Sequence, residues 1–220
     1  MTEPSTAFGT AAGQGFPDAI GFGFAELLLL LNLRRGPAAE ASAKALRLAE
    51  ELDDASLLAA GASSLVARGL ATVEPGGDLS VAGPVAAVTS ALTEAAKRVQ
   101  INLLTADSVD NVLSLESPEY QILLQPRAYL SWFAMAQRPD ATPAEANFYI
   151  VRKHLEDNPS GGATIRLLQN DAEKQLLVKR SGQRWAVGYG TIDAPSEPIQ
   201  EITGLTDSQV LDHIRSIRQD

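Results

Sequence analysis

Residues 41–81 read ASAKALRLAEELDDASLLAAGASSLVARGLATVEPGGDLSV, an order of helix, short break, helix and small hairpin. A helix over about 39–52 carries an imperfect apolar stripe through Leu46, Ala49 and Leu52. Asp53 or Asp54 then caps a second helix, whose apolar positions Leu57, Leu58, Ala62, Leu65 and Val66 recur at helical spacing. Gly69 stops it. Residues 70–74 and 79–81 form two strand arms, and Pro75-Gly76-Gly77-Asp78 supplies the turn between them. This is the outline of a winged helix.

The side chains do not suit the DNA readout that such an outline invites. A recognition helix needs Arg, Lys, Asn or Gln at base edges and cations for phosphates. The candidate helix over 55–68 offers one cation, Arg68, at its far end. The turn has none, and Glu50, Glu51, Asp53 and Asp54 precede the helix. Residues 40–97 hold eight acidic and four basic side chains. The small residues Ala59, Ala60, Gly61 and Ala62 instead allow close packing against another surface. The net charge of −9 sets an unfavourable global field for a phosphate backbone. Nucleic acid is therefore disfavoured as a partner.

Upstream, Asp18 caps a helix expected over about 19–33, ended by Gly36-Pro37. Its run Leu27 to Leu31 is too short to span a membrane and holds Glu26, so it reads as a buried core or dimer helix, with no membrane insertion. Downstream, Pro84 opens a helix to about residue 97. The period then changes. Val99, Ile101 and Leu103 alternate with Gln100 and Asn102, a half-buried strand. Residues 111–116, 120–125 and 128–136 follow as strands, and Pro126 argues that its strand lies at an edge or ends there. Thr142-Pro143-Ala144-Glu145 is a capping box with proline at the first helical position. Three strands over 163–169, 175–180 and 184–189 come next, and Thr206 or Asp207 caps a final helix. Strands followed by a helix, twice over, favour an antiparallel α+β layer over a Rossmann sheet.

The fold class is thus α+β: a disordered segment at 1–15, a helical winged-helix-like domain at 16–97 and an antiparallel α+β domain at 98–220. A second disordered stretch is expected at about 194–204. Cysteine is absent, which excludes disulfides and thiolate chemistry.

The chemical motifs are sparse. Arg166, Lys174, Lys179, Arg180 and Arg184 cluster on the later strands near Trp185 and Tyr189, a sheet platform for single-stranded nucleic acid or a solvated sheet face. Parity sets Trp185, Val187 and Tyr189 on one face and Arg184 and Ala186 on the other, which favours the solvated face. His154 and His213 lie on separate helices and make no recognisable ligand set. Trp132 reads as core, with a binding hot spot as the alternative. No metal, cofactor or catalytic residue is assigned.

The Ala-Leu-rich run over 57–70, ending Val66-Ala67-Arg68-Gly69-Leu70, the following Gly-Gly-Asp turn, and the strand-rich stretches at 99–104 and 175–189 together resemble the EspG-type chaperones of actinobacterial type VII (ESX) secretion. That resemblance implies an α+β fold of two quasi-equivalent units and binding of secreted helical proteins through a sheet and helices. It carries over no binding residue. The Ala, Gly, Arg and Asp bias suits a high-GC bacterial source. The first expectation is a non-enzymatic, cytoplasmic protein-binding module, a secretion chaperone or adaptor. Its interaction surface would draw on Leu57, Leu58, Arg166, Lys179, Arg180 and Arg184. A homodimer stays open. The alternatives are a winged-helix regulator whose C-terminal part senses a ligand or dimerises, and an enzyme with dispersed acidic catalytic residues.

Overall fold

The computed structural model describes residues 19–137, 140–168, 174–191 and 199–220. The expected disorder at 1–15, and part of that at 194–204, lies outside these residues, as does the turn at Asn170-Asp171.

The alternation in β4 (Lys97–Leu104) organises the molecule. A strand with two unlike faces can be covered differently on each side. β4 pairs antiparallel with β5 (Val109–Glu116) on one side and β8 (Gly162–Leu167) on the other. Outward from β5 run β6 (Gln121–Arg127), β7 (Ser131–Ala136) and β1 (Ile20–Gly23); outward from β8 run β9 (Lys174–Ser181), β10 (Arg184–Thr191) and β11 (Glu201–Leu205). All nine strands are antiparallel in one sheet. Two four-strand meanders, β4–β7 and β8–β11, meet first strand to first strand. Each is followed by a helix, α5 (Pro143–Asp157) or α6 (Asp207–Arg218).

The helices cover the sheet diagonally. On the front face, Leu113, Leu115, Ile122, Leu124, Trp132, Ala134 and Phe22 form a core with α1 (Phe24–Leu33), α2 (Pro37–Leu46) and α4 (Gly83–Glu94). On the back, Val99, Ile101, Ile165, Leu176, Val178, Trp185 and Val187 pack under α5 and α6. The expected division at 97/98 falls one residue inside β4, and the front core draws residues from both sides of it. α3 (Ala55–Ala67) packs on α1, and the hairpin β2 (Thr72–Val73), β3 (Leu79–Ser80) pairs with itself.

Several elements differ from expectation. Residues 20–23 form strand β1 and not the start of a helix. Two glycines weaken helix there, Phe22 pairs with Trp132, and Gly21 lies where a Cβ would meet the Phe133 ring at 2.9 Å. Gly23, not Asp18, is the N-cap of α1, with Glu26 accepting from its backbone N–H at 2.8 Å. The helix expected over 39–52 breaks at Arg47, which turns left-handed (φ 60°) with Leu48 N–H donating to the Ala43 carbonyl at 2.8 Å. This is a Schellman-type close without glycine, and it lets both Leu48 and Leu52 reach the core. Residues 201–205 form strand β11 in place of the expected disorder, because the edge of β10 supplies its hydrogen bonds. Its bulge at Gly204 (φ 76°) suits a residue without a Cβ.

Asp54 caps α3 through the Ser56 and Leu57 N–H groups, and the Thr142 box caps α5. Leu27, Leu28, Leu30 and Leu31 are fully buried. Glu26, 3% exposed beside them, ties α1 to α3 through the Ser64 hydroxyl at 2.7 Å and Arg68 at 2.6 Å. Burial pushes its pKa up, but the bonds from Ser64, Gly23 and Arg68 outweigh this and hold it below the usual carboxylate value. A lowered folded pKa gives stability that is present above the unfolded pKa and lost as pH falls through the folded one. Glu26→Gln is expected to cost about 2 kcal/mol at neutral pH, with the deficit shrinking on acidification. Urea unfolding across a pH series checks both.

Candidate functional site

Neither core takes a front-facing side chain from β8, β9 or β10. This half of the front is open among the described residues. Its floor comes from the polar positions of the β4 alternation. Asn102 stands opposite Asn111 on β5 and Thr164 on β8, and Gln100 stands opposite Arg166. Asn111 Nδ2 donates to Asn102 Oδ1 at 2.7 Å, Asn102 Nδ2 to Thr164 Oγ1 at 2.9 Å, and Arg166 Nε to Gln100 Oε1 at 2.7 Å. All five side chains are half-buried. A polar group already bonded to its neighbour can be covered without the roughly 1–3 kcal/mol penalty of an orphaned one.

Two depressions open on this floor. One, of about 360 Å³, lies against the helical layer, between Phe24, Arg47, Leu48, Val109 and Leu130. The other, of about 540 Å³, lies toward β11, between Leu104, Leu177, Lys179 and Ile199. The Asn102–Thr164 hydrogen bond joins them. In the second, Ile199 packs against Gly188, where a side chain would collide with it. Lys179 pairs with Glu201 at 2.7 Å on the same rim, a solvent-exposed pair of small energetic weight.

The rim carries apolar side chains in water. Val109 is 64% exposed, Leu130 63% and Tyr129 fully. Tyr129 and Leu130 sit at the β6–β7 hairpin tip, and both are left-handed (φ 59° and 52°). That conformation costs a non-glycine residue roughly 1–2 kcal/mol.

The structure separates the expected surface residues. Leu57 and Leu58 are half-buried and pack against the front core. Arg166 and Lys179 lie on the open front, and Arg184 shares that face by parity. Arg180 lies on the back, stacked over the Trp185 ring at 4.2 Å from its centroid. Trp185 is 1% exposed, donates Nε1–H to Asp207 at 2.7 Å and meets Phe148 edge-on, so its ring offers no free face for a base. Arg68, the cation of α3, bonds Glu26 and the Gly21 carbonyl. Trp132 belongs to the front core. The open floor and the hairpin tip were missed by sequence reasoning; amides and not charges at alternate positions of β4 were the available signal.

His154 Nε2 lies 3.0 Å from the Leu104 carbonyl and His213 Nδ1 2.9 Å from the Tyr189 hydroxyl, on separate helices. Asp53 pairs with Arg35, Glu156 with Arg152 and Asp157 with Lys153. Among the described residues no group of three His, Asp or Glu is arranged to hold a metal ion, and no helix is long and apolar enough to cross a membrane.

No protein-family model and no curated protein matches the chain. Among solved structures, the Mycobacterium tuberculosis type VII secretion chaperone EspG5, in complex with the PE25–PPE41 dimer, matches with a TM-score of 0.58 at 11% identity. The match covers 91% of this chain and 95% of that one. In fold, the chain resembles EspG5. The resemblance read from the sequence layout therefore holds at the level of the α+β architecture.

Proposed function

We propose that the chain is a non-enzymatic protein-binding module of the secretion-chaperone or adaptor kind, acting in a bacterial cytoplasm and docking its partner on the open front of the sheet. The observation that carries this reading is the pairing of a self-satisfied polar floor with water-exposed Val109, Tyr129 and Leu130 at its rim. Backbone strain at Tyr129 and Leu130 supports it, since bulky residues held left-handed at an exposed tip point to function. The fold's likeness to a chaperone solved with a protein dimer supports it too.

The test is affinity capture from the native host with wild type, a Val109→Asp/Leu130→Asp variant and an Ala60→Asp variant on α3, bound proteins being identified by mass spectrometry. The front variant is expected to lose a helical partner by about 30-fold, the scale of a hot-spot loss. The α3 variant is expected to retain it. Equal capture by all three overturns the reading. Loss in the α3 variant alone moves docking to the Leu57–Leu58 helix. A captured second copy of this chain, or steeply salt-dependent DNA retention, replaces it with a homodimer or with the winged-helix regulator.

A further inference from the structure

Among the described residues, the depression beside the helical layer is lined by one charged residue, Arg47, and by no carboxylate. Arg166 adjoins it through its bond to Gln100, which lines the same depression. This is unusual charge chemistry for a chain with 27 acidic and 18 basic residues. Arg34, Arg35, Arg68, Arg127, Arg152, Arg215 and Arg218 each have a carboxylate partner. Arg47 and Arg166 have none among the described residues. Burial, and then repulsion from Arg47, pull the pKa of Arg166 down. The Nε of Arg166 is taken by Gln100, leaving its two terminal amino groups unbonded within the described protein. Arg98, on β4, is buried and held by the Ser42 hydroxyl at 2.9 Å and the Ala38 carbonyl, with no carboxylate partner among the described residues.

Two guanidinium groups thus approach each other at this depression, Arg47 at the close of α2 and Arg166 on β8, and apolar Leu48, Val109 and Leu130 stand alongside. A guanidinium presents paired donors that match a carboxylate. We infer that this depression selects a partner segment carrying an apolar side chain next to an acidic one, the carboxylate lying between Arg47 and Arg166. The inference rests on the docking reading above and adds a sign of charge to it.

The probe is a short fluorescent helical peptide displaying leucine beside glutamate, with its glutamine and lysine versions, titrated into the full chain by fluorescence polarisation. The glutamate peptide is expected to bind about tenfold tighter than the glutamine one, and the lysine peptide weakest. In Arg47→Gln/Arg166→Gln the glutamate-to-glutamine ratio is expected to fall to about one. Arg47→Gln alone, at an exposed position, lowers the ratio even where the double variant fails to fold. Equal glutamate and glutamine affinities, both lost in Val109→Asp/Leu130→Asp, overturn the charge selection and leave the docking reading standing. Failure of all three peptides to bind counts against both.

Discussion

Arg218→Met is expected to destabilise the protein by about 3–5 kcal/mol at neutral pH, seen as an earlier urea midpoint with an unchanged slope. Arg218 is fully buried. Its NH2 group donates to both oxygens of Glu116 at 2.9 and 3.0 Å, its NH1 group to Asn147 Oδ1, and its Nε to Asp220 at 2.7 Å. One side chain thereby joins α6 to α5 and to the end of β5. Removing it leaves the half-buried Glu116 carboxylate with only Lys97 to offset its charge, and Asn147 Nδ2 is already without a partner among the described residues. Burial pushes the Glu116 pKa up even with Arg218 and Lys97 opposing it. A raised carboxyl pKa means that the folded state holds the proton more readily, so stability falls as pH rises through the window between the unfolded and folded values. Without Arg218 that window moves higher. The variant's deficit should therefore be greatest near neutrality and shrink on acidification, and adding Glu116→Gln should recover part of it. A deficit that does not change with pH would contradict this account.

Gly61→Ala is expected to cost about 2 kcal/mol net, overpacking of roughly 3 kcal/mol offset by near 1 kcal/mol of helix propensity. On an exposed helix face the same change stabilises. Gly61 is buried where α3 crosses α1; an added Cβ would stand 2.7 Å from the Ala25 carbonyl carbon, closer still to its oxygen and 3.2 Å from Leu29 Cβ. The obstacle is backbone, which no rotamer change relieves, so the helices must separate. Gly61→Val should lower the melting temperature further, while Ala60→Gly, one residue away and exposed, should cost only its propensity. A neutral Gly61→Ala would show that α3 can lift from α1 freely.

The parts of the fold legible in the sequence were those written locally. The Asp54 cap, the Thr142 capping box, the Thr206 cap and the alternation along β4 each name their own secondary structure within a few residues. β1 and β11 were not legible because each is made a strand by a partner, β7 or β10. The four residues of β1 are masked further by the leucine run that follows. That both meanders share one sheet rests on the β4–β8 pairing, which has no local signature. The cation cluster on β8–β10 was visible as composition, but parity and the Trp185–Arg180 stack divide it between two faces. Arg47 gave no hint of its place on the open front, because that place follows from the left-handed close of α2.

The pairing of β1 with β7 sets an order on biosynthesis. Ile20 finds its partner in Ala134, so α1 and its buried leucines emerge from the ribosome long before the strands that cover them exist. Non-local pairing of this kind slows folding and prolongs the exposure of apolar surface. Until β7 is made, α1 has only the helices α2, α3 and α4 to pack on, and the side of the front core that the sheet completes stays open to the chaperones that meet a nascent chain.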